Sequence, residues 1–122
     1  NMRYHSISAK FPKPFSNRGK DLVLQFSVKH EVQEFSFCGG GYIKLLGSDV
    51  DQVNFGGPTE YKIMFGPDIC GYDVARIHLI FNWQGMNLVR SPDIGLEYDD
   101  KNKYSHLYTL VLKPDNTYKV YF

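Results

Sequence analysis

An alternation of large apolar and smaller or polar side chains runs through LVLQFSVK, residues 22–29. Side chains two positions apart lie on the same face of an extended chain, so Leu22, Leu24, Phe26 and Val28 share one face. A period of two over this length is typical of a half-buried strand. The stretch therefore predicts a β-strand with one side in a hydrophobic core.

Short strand-like segments recur on both sides of it and complete a set of seven: 4–11, 42–46, 61–65, 77–83, 107–112 and 118–122. Glycine- or proline-containing turn signals separate them at 17–19, 39–41, 56–58, 66–68, 84–85 and 113–117. The last of these predicts a hairpin connection. Helical periodicity never exceeds two turns, so the sequence predicts an all-β sandwich.

Composition limits the classes of function. The chain has 122 residues and a net charge of +1, from 14 basic and 13 acidic side chains. A general nucleic-acid binder needs a basic surface, which this balance argues against. No apolar run approaches the ~18–20 residues of a membrane span.

Two cysteines, Cys38 and Cys70, lie 32 positions apart. This spacing is neither a zinc-finger pattern nor a CxxC redox pair. Two interpretations remain open on the residues alone. The thiols are either reduced and buried, or joined in a disulfide, which would place folding in an oxidising compartment.

Enzymatic signatures are absent from the sequence, which contains no G-x-S-x-G, P-loop, G-x-G-x-x-G or H-E-x-x-H pattern. The acidic candidates for a glycan hydrolase, Asp49/Asp51 and Glu97/Asp99/Asp100, occur in turn-like, hydrophilic contexts. His78 lies within an apolar strand and is expected to be a hydrogen-bonded core histidine. The sequence therefore predicts a protein that is not an enzyme and has no metal site of its own.

Two segments, 38–45 and 63–71, each place a cysteine beside glycines. A triple glycine such as Gly39–Gly41 costs conformational entropy next to a strand. It is favourable where a second backbone or a ligand must approach closely, or where the chain makes a bulge or a tight crossing.

These segments resemble the two signature motifs of the calreticulin/calnexin family, on its calreticulin side. The first is Cys-Gly-Gly-(Ala/Gly)-aromatic-aliphatic-Lys, matched by 38–44, and the second is aliphatic-Met-Phe-Gly-Pro-Asp-x-Cys-Gly, matched by 63–71. Further agreement occurs at 13–19, 106–110 and 114–117, so that the resemblance covers roughly residues 9–120.

The resemblance implies a legume-lectin-like (concanavalin-like) antiparallel β-sandwich of the jelly-roll type. Residues 1–122 would be part of a single globular lectin domain, without its early strands, its proline-rich arm or its acidic C-terminal tail. It also implies a Cys38–Cys70 disulfide. The carbohydrate site of the family maps onto Tyr42, Lys44, Gly57, Tyr61, Met64, Asp68 and Ile80.

The implied function is that of an endoplasmic reticulum lectin chaperone domain. It would bind monoglucosylated N-linked oligomannose glycans on folding glycoproteins, in a calcium-linked protein whose calcium ligands lie outside this segment. Its partners would be those glycans and their glycoprotein clients, without nucleic acid or a membrane span, and the chain would be a monomer. Its location would be the endoplasmic reticulum lumen, with the cell surface or secretion as further locations.

The proposed site makes chemical sense. Tyr42 and Lys44 are two apart and share a strand face, whereas Tyr61 and Met64 are three apart, which predicts a bulge or strand end at 61–64. Two departures from the family favour an alternative, a protein-interaction module of the same fold that binds unfolded polypeptide or a host protein independently of sugar. They are a longer segment at 31–37 and Pro58, which stands where the family often has an acid.

Overall fold

The computed structural model describes residues 4–30, 38–71, 73–97 and 104–122. The longer segment predicted at 31–37 and the acidic pair Asp99 and Asp100 lie outside these ranges. The described residues form nine strands and no helix, and therefore no helix that could cross a membrane. The strands are β1 (Leu22–Lys29), β2 (Cys38–Gly40), β3 (Ile43–Leu46), β4 (Tyr61–Cys70), β5 (Val74–Trp83), β6 (Met86–Val89), β7 (Ile94–Gly95), β8 (Ser105–Leu112) and β9 (Tyr118–Tyr121).

These strands form two antiparallel sheets. The smaller has the order β1-β8-β9. The larger has β4 and β5 at its centre, with β2 and β3 along the outer edge of β4 and with β6 and β7 along the outer edge of β5. The predicted hairpin at 113–117 is confirmed, because it joins β8 to β9 and is closed by a hydrogen bond from Lys113 N to Thr117 O of 2.8 Å.

The hydrophobic core lies between the sheets. The predicted inner face of β1 packs there, with Phe26 stacked on Tyr108 of β8 at 5.7 Å and set edge-on to Phe65 of β4 at 5.8 Å between ring centroids. Phe65 and Leu110 are fully buried. Because this one cluster draws its side chains from both sheets, the architecture is a β-sandwich.

The structure corrects three predictions of local structure. Residues 66–68 are not a turn, since β4 continues through them to Cys70. Three short strands, β2 (three residues), β6 (four) and β7 (two), were not predicted from the sequence. Residues 4–11 are not a strand, and their apolar side chains are exposed, with Ile7 at 98%. A period of two forms a strand only where a neighbouring chain can pair with it.

Gly66 and Pro67 lie inside β4 at the point where its neighbour along the sheet edge changes from β2 to β3. Gly66 has φ +144°, and a Cβ at this position would lie 2.7 Å from Tyr42 Cα and 2.8 Å from Gly41 O. Pro67 has no amide hydrogen, but its carbonyl accepts a hydrogen bond from Gly41 N at 3.0 Å. The predicted close approach of a second backbone at the triple glycine is therefore found where β2 ends and β3 begins.

Candidate functional site

The candidate site lies on the face of the larger sheet that points away from the core. Along β4, Ile63 and Phe65 enter the core, while Met64 and Asp68 point to the other side. On β5, Ile80 pairs with Met64 and therefore shares its face. Both central strands thus supply the core with one set of alternate residues and this outer face with the other.

A β-bulge brings Tyr61 to the same face. Leu45 pairs with Ile63 but the next residue, Leu46, pairs with Tyr61, so Lys62 is left without a partner on β3. The extra residue changes the alternation of β4 by one position. Tyr61 and Met64 consequently pack together although they are three apart in sequence, which confirms the irregularity predicted at 61–64.

The floor of the site is apolar. Tyr61, Met64 and Ile80 are exposed by only 9%, 9% and 8%, and they form a buried cluster separate from the main core. Tyr42 and Leu46 pack against this cluster and are partly exposed. A half-open apolar surface of this kind suits the C–H face of a ring-shaped ligand.

Lys44 covers one side of this floor. Its ammonium nitrogen lies 4.7 Å from the centroid of the Tyr61 ring, in a cation–π arrangement. The same nitrogen is 3.5 Å from the carbonyl oxygen of Gly57, in the loop before β4. Lys44 therefore joins the strand face to the 57–61 loop and presents hydrogen-bond donors above an aromatic ring.

Asp68 forms the other side, within a cluster of polar side chains. Its Oδ2 lies 2.9 Å from His78 Nε2 and 3.2 Å from Arg76 Nε. Arg76 Nη1 also lies 2.8 Å from Asp93 Oδ2. The His78 ring is set edge-on to Tyr42, with 6.3 Å between centroids, so His78 links Asp68 to the aromatic ring beside the floor.

Tyr42 is held by its glycine-rich surroundings and by the disulfide. Cys38 and Cys70 pair directly across β2 and β4 and their sulfur atoms are bonded. The Tyr42 ring lies over Gly40, where a Cβ would be 2.6 Å from Tyr42 Cε1. The triple glycine therefore allows two close approaches: the backbone of β4 approaches Gly41, and the Tyr42 ring approaches Gly40.

The phenols stay protonated at physiological pH. Burial raises the pKa of Tyr42 above its ordinary value, and nearby Tyr4, Asp68 and Tyr61 add to the rise. Burial also raises the pKa of Tyr61. Both hydroxyls can consequently donate as well as accept hydrogen bonds.

All seven residues predicted for the carbohydrate site thus lie on one contiguous patch, linked through the contacts above: Tyr42, Lys44, Gly57, Tyr61, Met64, Asp68 and Ile80. Their role in binding stays a prediction. A depression of about 300 Å³ adjoins the patch and shares Gly57 and Tyr61 with it. Pro58, Asn82 and Asn87 are among its other lining residues, so polar amide groups extend the surface.

The sequence missed two members of the patch, Arg76 and His78. His78 is hydrogen-bonded, as predicted, but it lies on the outer face and is absent from both hydrophobic clusters. The spacing contained a signal, because residues 76, 78 and 80 are two apart and share one face of a strand, and Ile80 was already a candidate. Because its neighbours in the sequence are apolar, His78 was predicted to lie in the core.

A calcium site has no donor set in the described ranges. No group of three or more histidine, cysteine or acidic side chains converges there, and Asp51 instead accepts hydrogen bonds from Val53 N and Asn54 N within its own loop. The described residues therefore do not fit a metal centre.

The two-sheet antiparallel sandwich, with an apolar floor and a polar rim on one sheet face, fits the legume-lectin-like class predicted from the sequence. Comparison with known proteins agrees with this class. A family model described as "Calreticulin family" matches residues 1–122. The chain belongs to the calreticulin family.

Individual relatives agree. The chain is 52% identical to calreticulin of Mus musculus and 50% identical to that of Homo sapiens, over 118 residues in each case. These alignments cover 97% of the chain but only 27% of each relative, so the chain spans about a quarter of their length. The solved globular domain of T. cruzi calreticulin superimposes with a TM-score of 0.80 at 44% identity, covering 91% of this chain and 40% of that one.

Family membership bears on three of the broader predictions. The calreticulin family consists of non-enzymatic chaperones, in agreement with the prediction that this chain is not an enzyme. Calreticulins bind calcium and are proteins of the endoplasmic reticulum lumen.

Proposed function

We propose that this chain forms the sugar-binding part of an endoplasmic reticulum lectin chaperone. Its ligand is a monoglucosylated N-linked oligomannose glycan on a folding glycoprotein. The observation that carries the proposal is the convergence of aromatic, ammonium and carboxylate groups on one sheet face around a buried apolar floor. Calcium, in this proposal, binds elsewhere in the whole protein, through ligands outside the described residues.

Each group has a part to play in sugar recognition. A pyranose has an apolar face of C–H groups and an edge of hydroxyls. The floor made by Tyr61, Met64 and Ile80 suits the apolar face, with the exposed part of Tyr42 beside it. Lys44 donates to hydroxyl oxygens and Asp68 accepts from hydroxyl hydrogens. Groups of opposite polarity at the two sides fix the orientation of the sugar ring.

Titration calorimetry on the full-length protein tests the proposal. Binding of a glucosylated oligomannose is expected, and the same glycan without its glucose should bind far more weakly. Tyr42→Ala removes an aromatic contact and a hydroxyl together, and is expected to weaken binding about 10- to 100-fold. Tyr121→Ala is the matched control, because Tyr121 is 54% exposed on β9 of the other sheet. Equal affinity for both glycans, or equal losses in both variants, contradicts the proposal.

A second prediction concerns Gly40, which lies beneath the Tyr42 ring. An alanine methyl at 40 requires the ring to move and would also lie 3.1 Å from the backbone oxygen of Pro67, a tight contact. Gly40→Ala should therefore weaken glucosylated-glycan binding about tenfold, part of the loss expected for Tyr42→Ala, and thermal unfolding recorded alongside reports any cost of the contact with Pro67 O. Gly85→Ala is a poor control because its φ is +80°, but Gly95→Ala meets open space and suits the purpose. Undiminished affinity in Gly40→Ala would show that the ring position does not matter.

One observation favours a protein-interaction function as the alternative. The β5–β6 hairpin exposes four large apolar side chains by half or more: Trp83, Met86, Leu88 and Val89. Exposed apolar side chains grouped on one element suit the binding of unfolded polypeptide. Binding to a deglycosylated client that free glucosylated glycan does not inhibit, and that Trp83→Ser weakens, would support this alternative.

A further inference from the structure

Asp68 is held through one of its two carboxylate oxygens. Both of its ion-pair contacts, with His78 Nε2 and Arg76 Nε, are made by Oδ2, and among the described residues Oδ1 makes no hydrogen bond or ion pair. A carboxylate has about four lone-pair positions, so two remain on Oδ1 for a ligand. The contacts thus divide the carboxylate, on the outer face of the sheet, into an oxygen that anchors it and an oxygen that is left for a ligand.

Arg76 connects this anchor to a second carboxylate. Its Nε contacts Asp68, while its Nη1 contacts Asp93 in the segment between β6 and β7. Two nitrogens of one planar guanidinium therefore fix its orientation relative to two separate elements. Register explains the first contact, because Arg76 on β5 pairs directly with Asp68 on β4.

The ion pairs of Arg76 contribute little to the free energy of unfolding. The side chains of Arg76, Asp68 and Asp93 are 37%, 26% and 46% exposed, and partly exposed ion pairs contribute little to folding. The arrangement is better explained by orientation. An aspartate that must present one oxygen to a sugar hydroxyl gains affinity when its rotamer is fixed before binding.

We propose that Arg76 is a positioning residue for sugar recognition: bridged to Asp93, it holds Asp68 so that Oδ1 faces the ligand. His78 Nε2 contacts the same oxygen at 2.9 Å. This inference rests on the proposed function, because it assigns a role within that site. Arg76 itself need not touch the sugar.

A double-mutant cycle in the full-length protein, measured by calorimetry with glucosylated oligomannose, tests the proposal. Arg76→Met keeps the length of the side chain and removes the bridge, and is expected to weaken binding about tenfold. Combined with Asp68→Asn, it should add almost nothing, since Arg76 acts through Asp68. Combined with Tyr61→Phe, the two effects should add. Additive losses in both combinations would overturn the positioning role.

Further variants refine the test. Arg76→Lys keeps the charge but cannot bridge with two nitrogens, so it should recover only part of the affinity. Asp93→Asn weakens the far end of the bridge and is expected to cost about threefold. Arg18→Met, an exposed arginine before β1, is the matched control and should bind like the parent protein. Full affinity in both Arg76→Met and Asp93→Asn contradicts the proposal.

A second measurement separates this inference from the proposed function. NMR three-bond couplings should report a single χ1 rotamer for Asp68 in the parent protein and rotamer averaging in Arg76→Met. If the parent protein binds no glucosylated glycan, the proposed function fails, while the couplings still decide whether Arg76 fixes Asp68. An unchanged single rotamer in Arg76→Met overturns the inference even if binding is found.

Discussion

The double variant Cys38→Ala/Cys70→Ala is expected to lose about 4 kcal/mol of unfolding free energy, the value for a cross-link across a loop of this length. The two cysteines are 32 positions apart, and the bond restricts the unfolded chain between them. The effect is measured by urea denaturation of the full-length protein. Reducing agent should lower the stability of the parent protein by a similar amount and leave the double variant unchanged.

The same variant should also weaken glycan binding. Cys38 and Cys70 pair across β2 and β4 only two positions from the pair Gly40–Asp68. Without the bond, the short β2 retains only its few backbone hydrogen bonds, and Tyr42 loses its fixed support. A double variant with parental stability and parental affinity would show that the disulfide supports neither the fold nor the site.

Asp68→Ala is expected to have the largest effect on glycan binding, a loss of about 100-fold. The substitution removes the carboxylate acceptor and also deprives His78 and Arg76 of their shared partner. Calorimetry with glucosylated oligomannose measures the loss. Thermal unfolding should change little, because the ion pairs involved are partly exposed.

The control for this variant is Asp21→Ala, which removes an exposed carboxylate just before β1, in the other sheet. It has the same change in net charge and should retain parental affinity. A loss of equal size in both variants would mean that overall charge, and not the position of Asp68, governs binding. Parental affinity in Asp68→Ala would remove Asp68 from the site.

The alternating pattern of β1 was sufficient to predict a strand with one face in the core, and the core confirms it. The 66–68 segment was not predictable from local signals, because glycine and proline usually mark turns. Here they occur in a strand, since the backbone at Gly41 and Tyr42 runs closely alongside β4 at this point. That close approach joins segments distant in sequence, and propensity reports only on near neighbours.

The residues of the candidate site were predicted less from local sequence pattern than the strands were. The seven mapped residues came from a family resemblance, and spacing alone added only the bulge at 61–64. Arg76 and His78 were missed because their importance depends on which strand lies beside β5, and only the register between β4 and β5 supplies that information.

The two central strands are shared between the interior and the candidate site. Met64 and Ile80 lie on the outer face, while their immediate neighbours Ile63 and Leu79 lie in the core. The candidate site therefore has no scaffold of its own, and its shape depends on the packing beneath it. If the site binds sugar as proposed, a lineage that alters its preference should do so through the loops and the edge strand, because a shift of β4 or β5 would disturb both layers at once.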